Sequence, residues 1–331
     1  MGAESRKLSF VTWLRAIGVV FILLCHYVGV NRNAYVQMSG QFFNIGNDIF
    51  FIVSGFCFGI KKNLGHIGEW YLKRLQRIII PYEIMVFAYL TANVLLGMTI
   101  DIKQWGIQIV GMQGWNGVYG IGHTWFVTSI ILCYLMTPVL VALLDDKNNI
   151  KLVVLILMIL PLFITYCLEN IFVEATLIIP ICWYALAFIV GRYYNYIVIR
   201  QKSVFLYLSL ITVSLGGRLV ARKYIDGTTL YDVIICGYTH AIIAFCFFAL
   251  SLRFLNDRKA NRIVKAIDEL SYEIYLWHYM FTVGPLALFG STPWWITDCI
   301  LVTMVTIIVA LLMKKLATFI NQKIEVVVWK N

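Results

Sequence analysis

The sequence predicts an all-α fold: a polytopic membrane helix bundle of about ten transmembrane helices, with both termini cytoplasmic. Three observations predict it. Of the 331 residues 61% are hydrophobic and only 13% are charged, against about a quarter charged in an ordinary soluble domain. Apolar runs of about 17–25 residues, the length that crosses a hydrocarbon core, recur from end to end. The basic residues then sort by side.

The apolar segments fall at about 9–30, 44–60, 78–97, 124–144, 152–168, 176–195, 203–217, 231–252, 270–289 and 294–313. Several carry a proline (Pro138, Pro161, Pro180, Pro285), which membrane helices tolerate where neighbours satisfy the released carbonyls. An even number of spans puts both termini on one side. With the N-terminus inside, the outer side keeps only Arg32, Lys103, Arg218, Arg222 and Lys223, 5 of the 27 Lys and Arg residues. That asymmetry is the positive-inside signal. It reads the net charge of +10 as topology, not as nucleic-acid binding. Residues 1–331 read as one integral membrane domain with no appended soluble domain. The N-terminus begins like a signal sequence, with Arg6 and Lys7 before an apolar run. Arg15 interrupts that run and no small-residue cleavage site follows, so it reads as an uncleaved first span. The 8 cysteines include no CxxC pair and no zinc-ligand spacing, so they read as small packed hydrophobes, and no metal is expected.

The first span, RAIGVVFILLCHY, holds two ionisable residues, Arg15 and His26. An ionisable group inside a membrane segment is expensive and tends to be functional. Eleven residues at about 100° each bring the two to one helix face, about 16 Å apart along the axis. Histidine is the side chain best suited to take and return a proton near neutral pH. A snorkelling arginine and an interfacial histidine bound to a neighbouring helix are the plainer alternatives. In NDIFFIVSGF, Asp48 opens the second span, where it can orient a histidine, pair with a cation or stay a solvated loop acid. Ser54 and Gly55 give that span a small, close-packing face. The basic loop WYLKRLQRIIIPY sets Lys73, Arg74 and Arg77 at neighbouring helical positions. Such a cluster suits an anionic phosphate ligand, or sets topology and touches anionic lipid.

GHTWF places His123 and Trp125 at the mouth of the fourth span, where interfacial belt residues also sit. ELSYEIYLWHYMF places Ser271 and His278 two turns apart on one face. His240 reads as a satisfied core histidine and His66 as a loop residue. The outer loop at about 98–123 carries Trp105, Trp115 and Tyr119, which suit stacking on a sugar or resting at the headgroup level.

Taken in order, these motifs resemble the acyltransferase-3 family of integral membrane acyltransferases. Arg15-x10-His26 resembles the family's arginine–histidine motif, and Phe50 to Phe56 (FFIVSGF) its FFxxSG motif. Arg74-x-x-Arg77 resembles its cytoplasmic RxxR motif, and His123 to Phe126 and Ser271 to His278 its later signatures. The chain departs from the pattern after His278, where Tyr279 and Met280 stand in place of a nearby proline. It departs again at Asn47-Asp48-Ile49-Phe50, and it lacks the hydrolase-like domain of some members. The resemblance implies transfer of an acyl group, usually acetyl from acetyl-CoA, to a hydroxyl of an extracytoplasmic or cell-surface glycan. It implies acetyl-CoA as donor substrate, a surface carbohydrate or lipid-linked glycan as acceptor, membrane lipids as surroundings, and a multi-pass place in a bacterial plasma membrane. His26 would act as base or nucleophile, Asp48 could fix its tautomer, Arg15 could meet the donor at the inner mouth, and Arg74, Arg77 and Lys73 would hold its phosphates. The rival reading is a permease or flippase for a lipid-linked sugar, which needs no acyl-CoA site.

Overall fold

The computed structural model describes residues 8–61, 63–113, 118, 120–144, 150–168, 175–193, 199 and 201–329. Among these residues the regular structure is helical, with no strand. The first part of the chain forms α1 (Ser9–Gly29), α2 (Ala34–Phe43), α3 (Gly46–Gly59), α4 (Ile67–Leu95) and α5 (Ile102–Ile109). A 3-10 turn (Gly122–Thr124) then leads into α6 (Trp125–Leu143), followed by α7 (Ile150–Leu168), α8 (Ala175–Tyr193) and α9 (Val204–Ile225). A π-helical turn (Leu230–Ile235) precedes α10 (Cys236–Leu255), and α11 (Arg262–Thr282) and α12 (Trp295–Trp329) complete the order.

Each of the ten expected apolar segments holds a helix; among the described residues seven segments are long and apolar enough to cross a membrane, and Gly46–Gly59 and Leu177–Tyr193 are shorter apolar helices. The differences have local causes. Helix α3 has only 14 residues, about 21 Å of rise. Helix α11 begins earlier than expected, capped by Asn261, whose Oδ1 accepts from the Val264 N–H at 2.9 Å. Its first half therefore carries Arg262, Lys265, Asp268 and Glu269, and it ends at Thr282, before Pro285. Helix α9 runs past the expected end of its span and takes in Arg218, Arg222 and Lys223. Lys73, Arg74 and Arg77 lie on the first turns of α4 and not in a loop. Helices α2 and α5 add structure to expected loops.

Helix ends follow their sequence signals. Asp101 caps α5, accepting from the Lys103 and Gln104 N–H groups at 2.8 and 3.3 Å. Gly97, with φ of 68°, ends α4. Its N–H bonds to Val94 O and the next N–H, of Met98, to Asn93 O, the paired bonds that a left-handed glycine permits.

The chain divides into two compact units. The first comprises residues to Ile22, Phe42–Leu64 and Leu135–Glu269. Its tightest junction joins α3 to α8. Gly55 and Gly59, four residues apart, present bare backbone to the Tyr184 and Phe188 carbonyl groups, which any Cβ would strike. Gly191 of α8 returns the fit against Phe56. In lipid no hydrophobic force draws helices together, so close small-residue contact does that work. Phe10, Phe56 and Phe248 pack edge to face beside it, with ring centroids 4.8–5.7 Å apart. Ser54 sits half-buried on α3.

The second unit comprises Leu23–Gln41, Gly65–Tyr134 and Leu270–Asn331. It packs α4 against α12, and Tyr272 of α11 donates to Ile78 O of α4 at 2.9 Å. Tyr27 shares a 3.1 Å hydroxyl bond with Thr303, and Trp295 donates to Tyr27 O at 3.1 Å. Asp298 accepts from the Gly290 and Thr292 N–H groups at 2.8 and 3.0 Å, closing the turn before α12.

Candidate functional site

Three of the chain's 5 histidines meet inside the second unit. His278 projects from α11 and is fully buried, with 0% exposure. Its Nδ1 lies 2.6 Å from Tyr275 O, and its Nε2 lies 2.9 Å from Nδ1 of His26. A carbonyl oxygen only accepts, so the neutral His278 ring carries its proton on Nδ1. Its Nε2 then accepts, and His26 donates from Nδ1. This order of protons leaves the lone pair of His26 on Nε2. His26 is half-buried while its partner is sealed, so of the two rings His26 is the more accessible.

His123 sits on the 3-10 turn with 4% exposure. Its Nε2 lies 3.1 Å from Leu276 O, so Nε2 carries the proton there. The ring stacks on Tyr279 at 4.7 Å and meets His278 edge-on at 5.4 Å. His26 meets the same Tyr279 edge-on at 5.0 Å.

A buried network fixes this turn. Gln108 of α5 donates to Tyr82 OH at 2.9 Å and to Thr124 Oγ1 at 2.8 Å. Tyr82 donates to Gln108 O, Thr124 to Ile121 O, and Tyr275 to His123 O. Three helices thus grip the segment that presents His123, while Gln108 Oε1 itself has no hydrogen-bond partner among the described residues.

The remaining expected site residues are distributed as follows. Arg15 belongs to the first unit, where its Nη1 lies 3.3 Å from Asp268 Oδ1. Asp48 is also in the first unit and interacts electrostatically with Arg218. The bond to His26 Nδ1 is made by His278. On α4, Arg74 is half-buried and Lys73 and Arg77 are exposed. Lys73 is paired along the helix with Glu69 at 3.3 Å. Trp125 is half-buried at the start of α6, and Ser271 is buried on α11.

Sequence reasoning also missed a polar position. Arg218, expected in an outer loop, is 1% exposed on α9 and interacts electrostatically with both Asp48 and His240. His240 is not the satisfied histidine expected, since its Nε2 has no hydrogen-bond partner among the described residues. Trp105 is buried on α5 rather than presented to a ligand. Trp115 and Tyr119 lie outside the described residues. Among the described residues no group of His, Cys, Asp or Glu is placed to hold a metal ion, and none of the cysteines is in a disulfide.

A family model described as an acyltransferase domain matches residues 8–314, nearly the whole chain. No curated protein and no solved structure matches it.

Proposed function

Because the chain belongs to the acyltransferase-3 family, we propose that it moves an acetyl group from acetyl-CoA to a hydroxyl of an extracytoplasmic glycan, with His26 as the reacting base or nucleophile. One observation carries this reading of the site: the His26–His278 bond at 2.9 Å, with the far side of His278 held on Tyr275 O. It does for His26 what an orienting partner does in other nucleophile–base pairs, holding the ring and its tautomer. His278 is a positioning residue, because it acts through His26. As His26 takes a proton or an acyl group on Nε2, its Nδ1 proton can pass to His278 Nε2.

The donor is anionic and, under the charge asymmetry of the sequence, arrives on the side of α4 that carries Arg74 and Arg77. These two guanidinium groups are three residues apart on a helix, a spacing that lets both reach one phosphate group. Lys73 is the weaker candidate, since Glu69 already engages it. Arg15 is assigned to anchoring through Asp268, not to the donor. The same asymmetry supports a reading in which the protein crosses a bacterial plasma membrane with both termini inside.

The test uses purified protein in nanodiscs with acetyl-CoA. The wild type is expected to bind acetyl-CoA and release CoA, and His26→Ala to bind without releasing it. Arg74→Ala with Arg77→Ala should weaken donor binding about tenfold or more, as expected for losing charge-assisted hydrogen bonds. Unchanged donor affinity in that double variant would reduce the pair to a topology signal. A folded wild type that neither binds acetyl-CoA nor releases CoA would return the chain to the permease or flippase reading.

A further inference from the structure

We infer that His123 is a second base in this site, taking the proton of the acceptor hydroxyl while His26 carries the acyl group. The inference rests on the acyltransferase reading above and goes beyond it. His123 donates from Nε2 to Leu276 O, so its lone pair is on Nδ1. That nitrogen is buried and has no hydrogen-bond partner among the described residues. A buried acceptor left unsatisfied costs about 1–3 kcal/mol, and such exceptions call for an explanation. Folding does not supply one. The turn is held through the His123 carbonyl and the Thr124 hydroxyl, and the ring's Nε2 is already used. Nδ1 is surplus to the architecture, yet its ring shares both Tyr279 and His278 with His26.

Chemistry supplies the need. Once Nε2 of His26 is acylated, the one remaining lone pair of that ring is on Nδ1, turned to His278, and does not serve the second substrate. In the first half-reaction, Nε2 attacks the thioester carbonyl carbon, the C–S bond breaks, and CoA leaves as a thiolate that takes a proton from solvent. The Nδ1 proton of His26 passes to His278 Nε2. In the second half-reaction, the acceptor O–H gives its proton to His123 Nδ1, and its oxygen attacks the acyl carbon. The C–N bond breaks, its electron pair returns to the His26 ring, and His278 gives back the Nδ1 proton. His123 then releases its proton to solvent, so acetyl-CoA and an alcohol become an ester and CoA. The shielding of Nδ1 in the protein without acceptor fits this division, since a base closed to water does not promote loss of the acyl group before the acceptor enters.

The experiment compares wild type, His26→Gln and His123→Gln in nanodiscs. Glutamine at 123 keeps an N–H for Leu276 O but has no basic nitrogen. The donor half is read as exchange of radiolabelled CoA into acetyl-CoA without acceptor. The acceptor half is read as movement of labelled acetyl to octyl glucoside, a surrogate sugar hydroxyl. His123→Gln is expected to exchange within about threefold of wild type and to lose transfer by about 10²-fold or more, the usual worth of a general base. His26→Gln is expected to lose both. Transfer retained by His123→Gln overturns the inference. So does equal loss of exchange and transfer in a His123→Gln protein that still binds acetyl-CoA, with His123→Asn as a second variant should the first not fold. A wild type that transfers without exchanging removes the covalent step and this division of roles, but leaves His26 as base of a direct transfer. A wild type that exchanges yet passes no label to octyl glucoside also counts against the second base. A wild type that binds no donor and does neither defeats the acyltransferase reading itself.

Discussion

Helix α1 engages its two ionisable side chains in opposite ways. Arg15 meets a carboxylate: Asp268 is 1% exposed at the side chain and Arg15 37%. His26 meets another imidazole, fully buried and itself held on a backbone carbonyl. A guanidinium and a carboxylate hold each other by charge. Two rings of the same chemistry share one proton between like nitrogens, and that proton can change sides while the rings stay in place. The first arrangement suits an anchor, and the second suits chemistry.

The contrast can be broken most directly at His26. His26→Ala should lower acyl transfer by about 10³-fold or more in an inserted, folded protein, since it removes the reacting nitrogen. Transfer at the wild-type rate would erase the distinction. His278→Ala should cost about 10²-fold, by releasing the tautomer and orientation of His26. His278→Gln, whose amide oxygen can accept from His26 Nδ1, should recover part of that loss, while His278→Leu, which only fills space, should not. Equal losses in Gln and Leu would make His278 a packing residue. The smallest effect on rate belongs to Arg15. Arg15→Ala should leave transfer within about threefold, because an anchor acts on stability. It should lower stability by about 1–3 kcal/mol, between the worth of an exposed pair and a buried one. Thermal unfolding in detergent reads this, and Asp268→Ala on top of Arg15→Ala should restore part of it. Transfer lost in Arg15→Ala without loss of stability would move Arg15 into the reaction.

Much of this was legible in the sequence. The helical class followed from apolar run length, and the interest of Arg15, His26, His123 and His278 from polar groups in apolar helices. Gly55 was marked as a packing residue from its size alone. What was not legible depends on which helices meet. Asp268 reads as one acid in a charged stretch, and only its place opposite Arg15 gives it a role. The order of protons from Tyr275 O through His278 to His26 needs interatomic distances that no spacing rule supplies. Arg218 was misplaced because a hydropathy edge near residue 217 ended the span, whereas the backbone keeps its helix to Ile225 once a buried neighbourhood can take the guanidinium. Trp105 was read as a loop aromatic because the Asp101 cap of α5 was not recognised as a helix start.

The short α3 has a consequence for how the protein is made. At about 21 Å it cannot reach across a hydrocarbon core of about 30 Å by itself, and the glycines that seat it face α8, which leaves the ribosome much later. Its early stay in the bilayer is therefore provisional, tolerated through local thinning and the pull of its neighbours. Substitutions at Gly55 or Gly59 would strike at biogenesis before catalysis, as chains degraded on the way to the membrane rather than as slow enzymes.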